Sequence, residues 1–214
     1  MKKRTRLILA LDVTDRKEAI DVVSEVSDFV DAVKVGYPAV LPLGMEIVEE
    51  VSSTADVICD FKVADIPNTN RLIVQEVFRR GASGIIVHGF PGADSIRACV
   101  EAAGGDVLVV TEMSHPGGQR FTSLVADEIA RLAVREGATG IIAPATRPER
   151  VRELREIVGS LLIVCPGVGV QGGSAADTIA AGADYVIVGR SIYQSDSPAT
   201  AAQGIAREIE SALS

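Results

Sequence analysis

The stretch CDFKVADIPNTN, residues 59–70, places Asp60, Lys62 and Asp65 within six positions, directly after an apolar run. Two carboxylates and an ammonium set that close together can serve two ends. They can neutralise one another as an internal ion pair, or they can hold a charged lysine and a carboxylate against a reacting atom. On a strand, residues i and i+2 share a face. Asp60 and Lys62 are therefore expected to point to one side, and Cys59, Phe61 and Val63 to the other. Burying charges carries a desolvation penalty that pairing only partly offsets. Aliphatic side chains would fill the same space without it, so the array points to chemistry. Lys34, inside the apolar run AVKVG, is positioned to join it from a neighbouring strand.

A second constellation lies near the other end of the chain. PGVGVQGG (166–173) is rich in glycine, whose backbone N–H groups can approach an anion closely. Gly189 and Arg190 follow the last apolar run and add a guanidinium, which pairs with phosphate through two hydrogen bonds. Either signal alone reads as a plain loop; together they argue for a phosphorylated substrate. The two histidines, His88 and His115, lie on different strands with no HxH or HExxH spacing. A metal site built on Asp12 and Asp60 is not required by anything in the pattern, and both histidines are expected in structural or loop-ordering roles. Arg147 and Arg150, in TRPERVRELRE, read as a solvated helix start with i,i+4 charge pairs.

Elements must carry these groups to one place. Eight short apolar runs recur: 7–11, 32–36, 56–61, 84–89, 106–112, 140–145, 161–167 and 185–190. Amphipathic stretches lie between or after them, among them 14–29 (behind a Thr14/Asp15 cap), 94–103, 123–136, 147–158 and 198–213. Alternation of this kind predicts a parallel sheet of βα units. RRGASGIIV, REGATGIIA and AAGADYVIV repeat one junction of helix end, Gly, Ala and strand, with Gly suited to the left-handed helix terminus. Eight units predict a closed (β/α)8 barrel, a TIM barrel, forming a single domain over 1–214. An open doubly wound sheet is the runner-up, but the first strand ends in ALDVTD without a glycine fingerprint. In a barrel the strands' C-terminal ends carry the chemistry. Asp12, Lys34, Asp60, Lys62, Asp65, His88, Ser114, the 166–173 loop and Arg190 all fall at or near such ends.

Composition agrees. The 214 residues are 47% hydrophobic, only 4% aromatic and contain no Trp, as expected where strands are covered on both faces. A net charge of −8 argues against a nucleic-acid partner. Cys59, Cys99 and Cys165 are widely spaced and read as buried hydrophobes rather than a disulfide or zinc framework. The basic start MKKRT precedes too short an apolar run for a signal peptide or membrane span, so a cytoplasmic protein with no membrane contact is expected.

Six motifs then fall in one order: LDV (11–13), VKVGYP (33–38), DFKVADIPNT (60–69), TEMSHPG (111–117), PGVGVQGG (166–173) and VGRSIY (188–193). Together they resemble the orotidine 5′-phosphate decarboxylase family in its compact archaeal form, across essentially the whole chain. The resemblance implies a cofactor-independent decarboxylase that turns orotidine 5′-monophosphate into UMP in pyrimidine biosynthesis. It implies that Lys62 donates the proton, that Asp60 lies against the substrate carboxylate, and that Lys34 and Asp12 hold the ribose hydroxyls. It implies that Ser114 binds the pyrimidine edge, and that Gln171, Gly189 and Arg190 hold the phosphate. Pro166 and Val168 complete the substrate-binding set, in a loop expected to act as a lid. It also implies a homodimer in which Asp65, Ile66 and Thr69 reach the neighbouring subunit's site. Three alternatives remain: a magnesium-dependent ketogulonate-phosphate decarboxylase or hexulose-phosphate synthase, a Schiff-base aldolase using Lys62, and a non-catalytic phosphate-ligand binder. DIPNT argues against the first. Carboxylates flanking Lys62 argue against the second, because they favour its ammonium form.

Overall fold

A computed structural model describes residues 3–213; Met1 and Lys2 of the basic start lie outside the described residues. Eight strands form a closed barrel in the order β1 to β8: β1 (Leu7–Leu11), β2 (Ala32–Gly36), β3 (Val57–Val63), β4 (Gly84–His88), β5 (Asp106–Val110), β6 (Gly140–Ile142), β7 (Leu162–Pro166) and β8 (Tyr185–Val188). All neighbours are parallel, and β8 closes on β1 with Leu7 opposite Val186. The helices are α1 (Arg16–Val26), α2 (Tyr37–Leu43), α3 (Glu46–Ser52), α4 (Pro67–Arg79), α5 (Ala93–Ala102), α6 (Gly118–Arg135), α7 (Pro148–Val158), α8 (Ala175–Ala180), α9 (Arg190–Tyr193) and α10 (Pro198–Leu213). The fold is thus the expected (β/α)8 barrel.

Strand periodicity divides the core in two. Ile8, Ala10, Ala32, Ile58, Ile86, Leu108, Val110, Ile142, Val164, Tyr185 and Ile187 fill the barrel interior. Their alternate neighbours, among them Leu7, Leu9, Val33, Cys59, Val87 and Val109, pack outward against the helices. Helix signals act as expected. Asp15 caps α1 by accepting a hydrogen bond from the Glu18 N–H (2.9 Å). Pro67 opens α4, where its missing N–H does no harm. All three cysteines are free and buried; burial pushes the Cys59 thiol up to about 12 and the Cys99 thiol to about 11. Several boundaries differ from expectation: β3 runs on to Val63 rather than 61, β6 ends at Ile142 rather than 145, β8 at Val188 rather than 190, and α1 is shorter than 14–29. β5 ends at Val110 rather than 112, and α6 starts at Gly118 rather than 123. The Gly118 N–H reaches the His115 carbonyl, so the turn winds into the helix earlier than its apolar spacing suggests.

Candidate active site

The inward face that is aliphatic low in the barrel, apart from Tyr185, turns polar at the C-terminal ends of the strands. Above Ala32 on β2 comes Lys34; above Ile58 on β3 comes Asp60; above Val110 of β5 comes Glu112. These residues open into a cavity of about 430 Å³. Asp12, Lys34, Asp60, Lys62, Ser114, Pro166, Val168, Gln171, Gly189 and Arg190 all line it, so ten of the expected site residues converge. Asp65, Ile66 and Thr69 do not line it.

The charge array is tightly drawn. The Lys62 ammonium donates to both Asp60 carboxylate oxygens, at 2.8 and 2.9 Å. Lys34 Nζ lies 3.0 Å from Asp60 and 3.8 Å from Asp12. The Asp60 side chain is only 9% exposed. Burial alone would raise its carboxyl; Lys34 and Lys62 outweigh that and hold it below the usual carboxylate range. His88, half-buried against the Phe90 ring (4.9 Å between centroids), is pushed down by burial and by Lys62, against the pull of Asp60.

Simple alternation does not by itself aim Lys62. The register against β4 shifts between Asp60 and Val63, and Lys62 adopts a left-handed backbone with φ of 44°. That conformation costs an L-residue with a Cβ about 1–2 kcal/mol. Neighbouring contacts brace the irregularity. Tyr37, just after β2, donates its hydroxyl to the Phe61 carbonyl (3.0 Å) and stacks on the Phe61 ring at 5.2 Å. Phe61 and Val63 still pack outward, as alternation requires.

The opposite rim is built differently. Gly167, Gly169 and Gly172 have φ of 109°, 78° and 96°, which side chains with a Cβ rarely adopt. Their loop folds on itself: Gly169 N–H reaches the Gly173 carbonyl (2.9 Å), and Gly173 N–H the Gly167 carbonyl (3.0 Å). Ser114 donates to the Gln171 side-chain carbonyl (2.9 Å), linking the β5 rim to this loop. Arg190 opens α9, is exposed, and has no ion-pair partner among the described residues.

One expectation is corrected. Arg147 and Arg150 are not a solvated helix start; both turn inward onto Glu112, whose side chain is 1% exposed. Arg147 bonds one Glu112 oxygen (3.1 Å) and also the carbonyls of Met113 (2.6 Å) and Ser114 (3.4 Å). Arg150 takes the other oxygen (2.9 Å) and reaches Asp127 on α6 (2.7 Å). The ion cluster fixes the backbone that carries Ser114. Sequence reasoning passed over Glu112, although its place two residues beyond Val110 on the inward face was a readable signal. Among the described residues, no group of three or more His, Cys, Asp or Glu side chains is arranged to hold a metal ion.

Residues 5–205 match the family described as Orotidine 5′-phosphate decarboxylase / HUMPS. The chain belongs to that family. An orotidine 5′-phosphate decarboxylase of Methanococcoides burtonii is 62% identical over 98% of this chain and 99% of its own. One of Methanosarcina mazei is 58% identical over 100% and 99%. Among solved structures of orotidine 5′-monophosphate decarboxylases, that of Methanocaldococcus jannaschii with the inhibitor BMP superposes with a TM-score of 0.91 at 46% identity, covering 95% of this chain and 97% of that one. These family members are archaeal, as the motif comparison implied. No helix among the described residues is long and apolar enough to cross a membrane.

Proposed function

We infer that this chain decarboxylates orotidine 5′-monophosphate to UMP and CO2, serving pyrimidine biosynthesis as its named relatives do. The observation that carries the reading is the Lys34–Asp60–Lys62 array at the mouth of the cavity, opposite a glycine loop and an exposed arginine. The substrate phosphate lies at Arg190, Gly189 and Gln171. Its ribose hydroxyls meet Asp12 and Lys34, and its pyrimidine edge meets Ser114. Pro166 and Val168 close over the ring as part of the 166–173 lid. This seats C6 and its carboxylate beside Lys62 and Asp60. The C6–carboxylate bond then breaks, CO2 leaves, and the electron pair stays on C6. Lys62 stabilises that carbanion and delivers its proton there, ending neutral. Asp60 keeps Lys62 charged beforehand. It also repels the substrate carboxylate more than the transition state, from which the negative charge has moved away. Binding energy from the remote phosphate drives lid closure.

We read the active form as a homodimer of cytoplasmic protein, each subunit lending Asp65, Ile66 and Thr69 to its neighbour's cavity. Their absence from their own cavity supports this. So does the run of exposed apolar side chains on three successive βα units, Tyr37, Leu41, Ile66, Leu72 and Phe90. The test is direct. Purified protein is mixed with orotidine 5′-monophosphate, without added metal and with EDTA, and UMP is followed. Rapid conversion insensitive to EDTA is expected. No conversion would overturn the decarboxylase reading. Loss of conversion with EDTA would overturn the metal-independent mechanism.

A further inference from the structure

Asn70 lies in the second turn of α4, and it is wholly buried. Asparagine is a poor choice for a helix interior and costly to bury unless its amide is satisfied. Here the amide is satisfied by the two backbone groups of one residue and by one hydroxyl. Its Oδ1 accepts from the Asp65 N–H (3.0 Å), and its Nδ2 donates to the Asp65 carbonyl (3.0 Å) and to Ser95 Oγ (2.6 Å). Ser95, in the first turn of α5 and also buried, donates in turn to the Asp65 carbonyl (3.3 Å). Both backbone polar groups of Asp65 are thus gripped from inside the molecule, as a neighbouring strand would grip them. The Asp65 carboxylate accepts from the Ile66 N–H (2.7 Å), which fixes the side chain over its own turn. The residue itself is exposed and stands outside its own cavity.

Helix propensity does not call for this arrangement. Leu or Ala at position 70 would suit the helix better. What the clamp achieves is to hold one exposed carboxylate at a fixed place before anything meets it.

We propose that Asn70, backed by Ser95, is a positioning residue that sets Asp65 for use in the neighbouring subunit's site. The inference rests on the shared-site reading above. Its signature is that the defect crosses the dimer. With Asn70 replaced, a subunit's own Lys62 still works, and the damage falls on the partner's Lys62.

The experiment uses heterodimers purified through two different tags. Asn70→Ala and Ser95→Ala homodimers are first compared with wild type in kcat, KM and circular dichroism. We expect kcat to drop at least tenfold for Asn70→Ala and less for Ser95→Ala, with the far-ultraviolet spectrum retained. Each variant is then paired with Lys62→Ala. In the Asn70→Ala/Lys62→Ala heterodimer, one site combines an intact Lys62 with a correctly held Asp65. That heterodimer should recover about half the wild-type kcat per dimer. Recovery near the Asn70→Ala homodimer level would overturn the proposal, because the damage would then be local to its own barrel. A parallel Asp65→Asn/Lys62→Ala heterodimer separates the two claims. If it recovers half the activity while the Asn70 pair does not, only the Asn70 role falls; if it too fails, the shared site falls and the Asn70 role with it. Should Asn70→Ala fail to fold, Ser95→Ala, which removes one hydroxyl, carries the same comparison.

Discussion

The two rims of the cavity are built on opposite plans. On the β2–β3 side the charged groups are already paired: Asp60 holds two ammoniums within 3.0 Å and is 9% exposed. Strand backbone carries them, and a strained residue braced by Tyr37 aims the key ammonium. On the β7–β8 side the cation is exposed and has no ion-pair partner among the described residues, and the backbone is a glycine loop bonded mainly to itself. The difference separates two tasks. Stabilising a carbanion needs charge fixed before the substrate arrives, because reorganising it during the reaction would forfeit the gain. Gripping a phosphate needs a surface that can close on it and open again.

That contrast can be broken experimentally. The largest effect is expected at Lys62. Lys62→Ala should lower kcat by at least about a thousandfold, since it removes both the stabilising charge and the proton. Binding of UMP, followed by calorimetry, should change little; if binding collapses while the fold survives, the β3 rim is a binding surface after all. Next is the ion cluster beneath the β5 rim. Glu112→Ala leaves two partly buried arginines short of a carboxylate, and breaking a buried pair costs about 3 kcal/mol. A denaturant melt showing less than about 1 kcal/mol would mean that Asp127 and the carbonyls suffice for the arginines.

Arg190→Ala should raise KM by roughly thirtyfold, about 2 kcal/mol for lost charged hydrogen bonds, with kcat less affected. The same variant should be nearly silent toward a substrate lacking phosphate. Equal losses on both substrates would remove the division between the rims. The smallest effect is that of pH on stability. Asp60 titrates below its unfolded value, so its contribution is present above about pH 4 and lost as pH falls through its folded value. His88 is also pushed down: the unfolded chain takes up its proton near pH 6.5 while the folded one does not. Both therefore destabilise the fold on acidification, His88 first. Thermal midpoints measured from pH 8 to pH 3 should fall in that order, and His88→Gln should flatten the first part. A midpoint that rises on acidification would contradict both directions.

Much of this was legible from residue order alone. The strands and their punctuation give the barrel, and the period of two places Lys34 and Asp60 inward. What escaped depends on contacts between distant segments. The register shift at Lys62 arises in pairing with β4, so alternation within β3 cannot reveal it. Arg147 and Arg150 lie 35 and 38 residues from Glu112, and their spacing within α7 looks the same whether they face water or a buried carboxylate. Asn70 was hidden in another way. It closes the opening stretch 59–70, one residue beyond the DFKVADIPNT motif, but its partner Ser95 belongs to the next helix, and only the packing of α4 on α5 joins them.

The backbone at Lys62 bears on how such a barrel can be engineered. Its left-handed conformation is one that glycine or asparagine takes up with least strain. Position 62 is therefore a place where the local chain does nothing to retain the residue the chemistry needs. A library screened only for survival of the fold on heating would meet no backbone resistance to losing this lysine. Heat resistance and turnover have to be scored together from the first round.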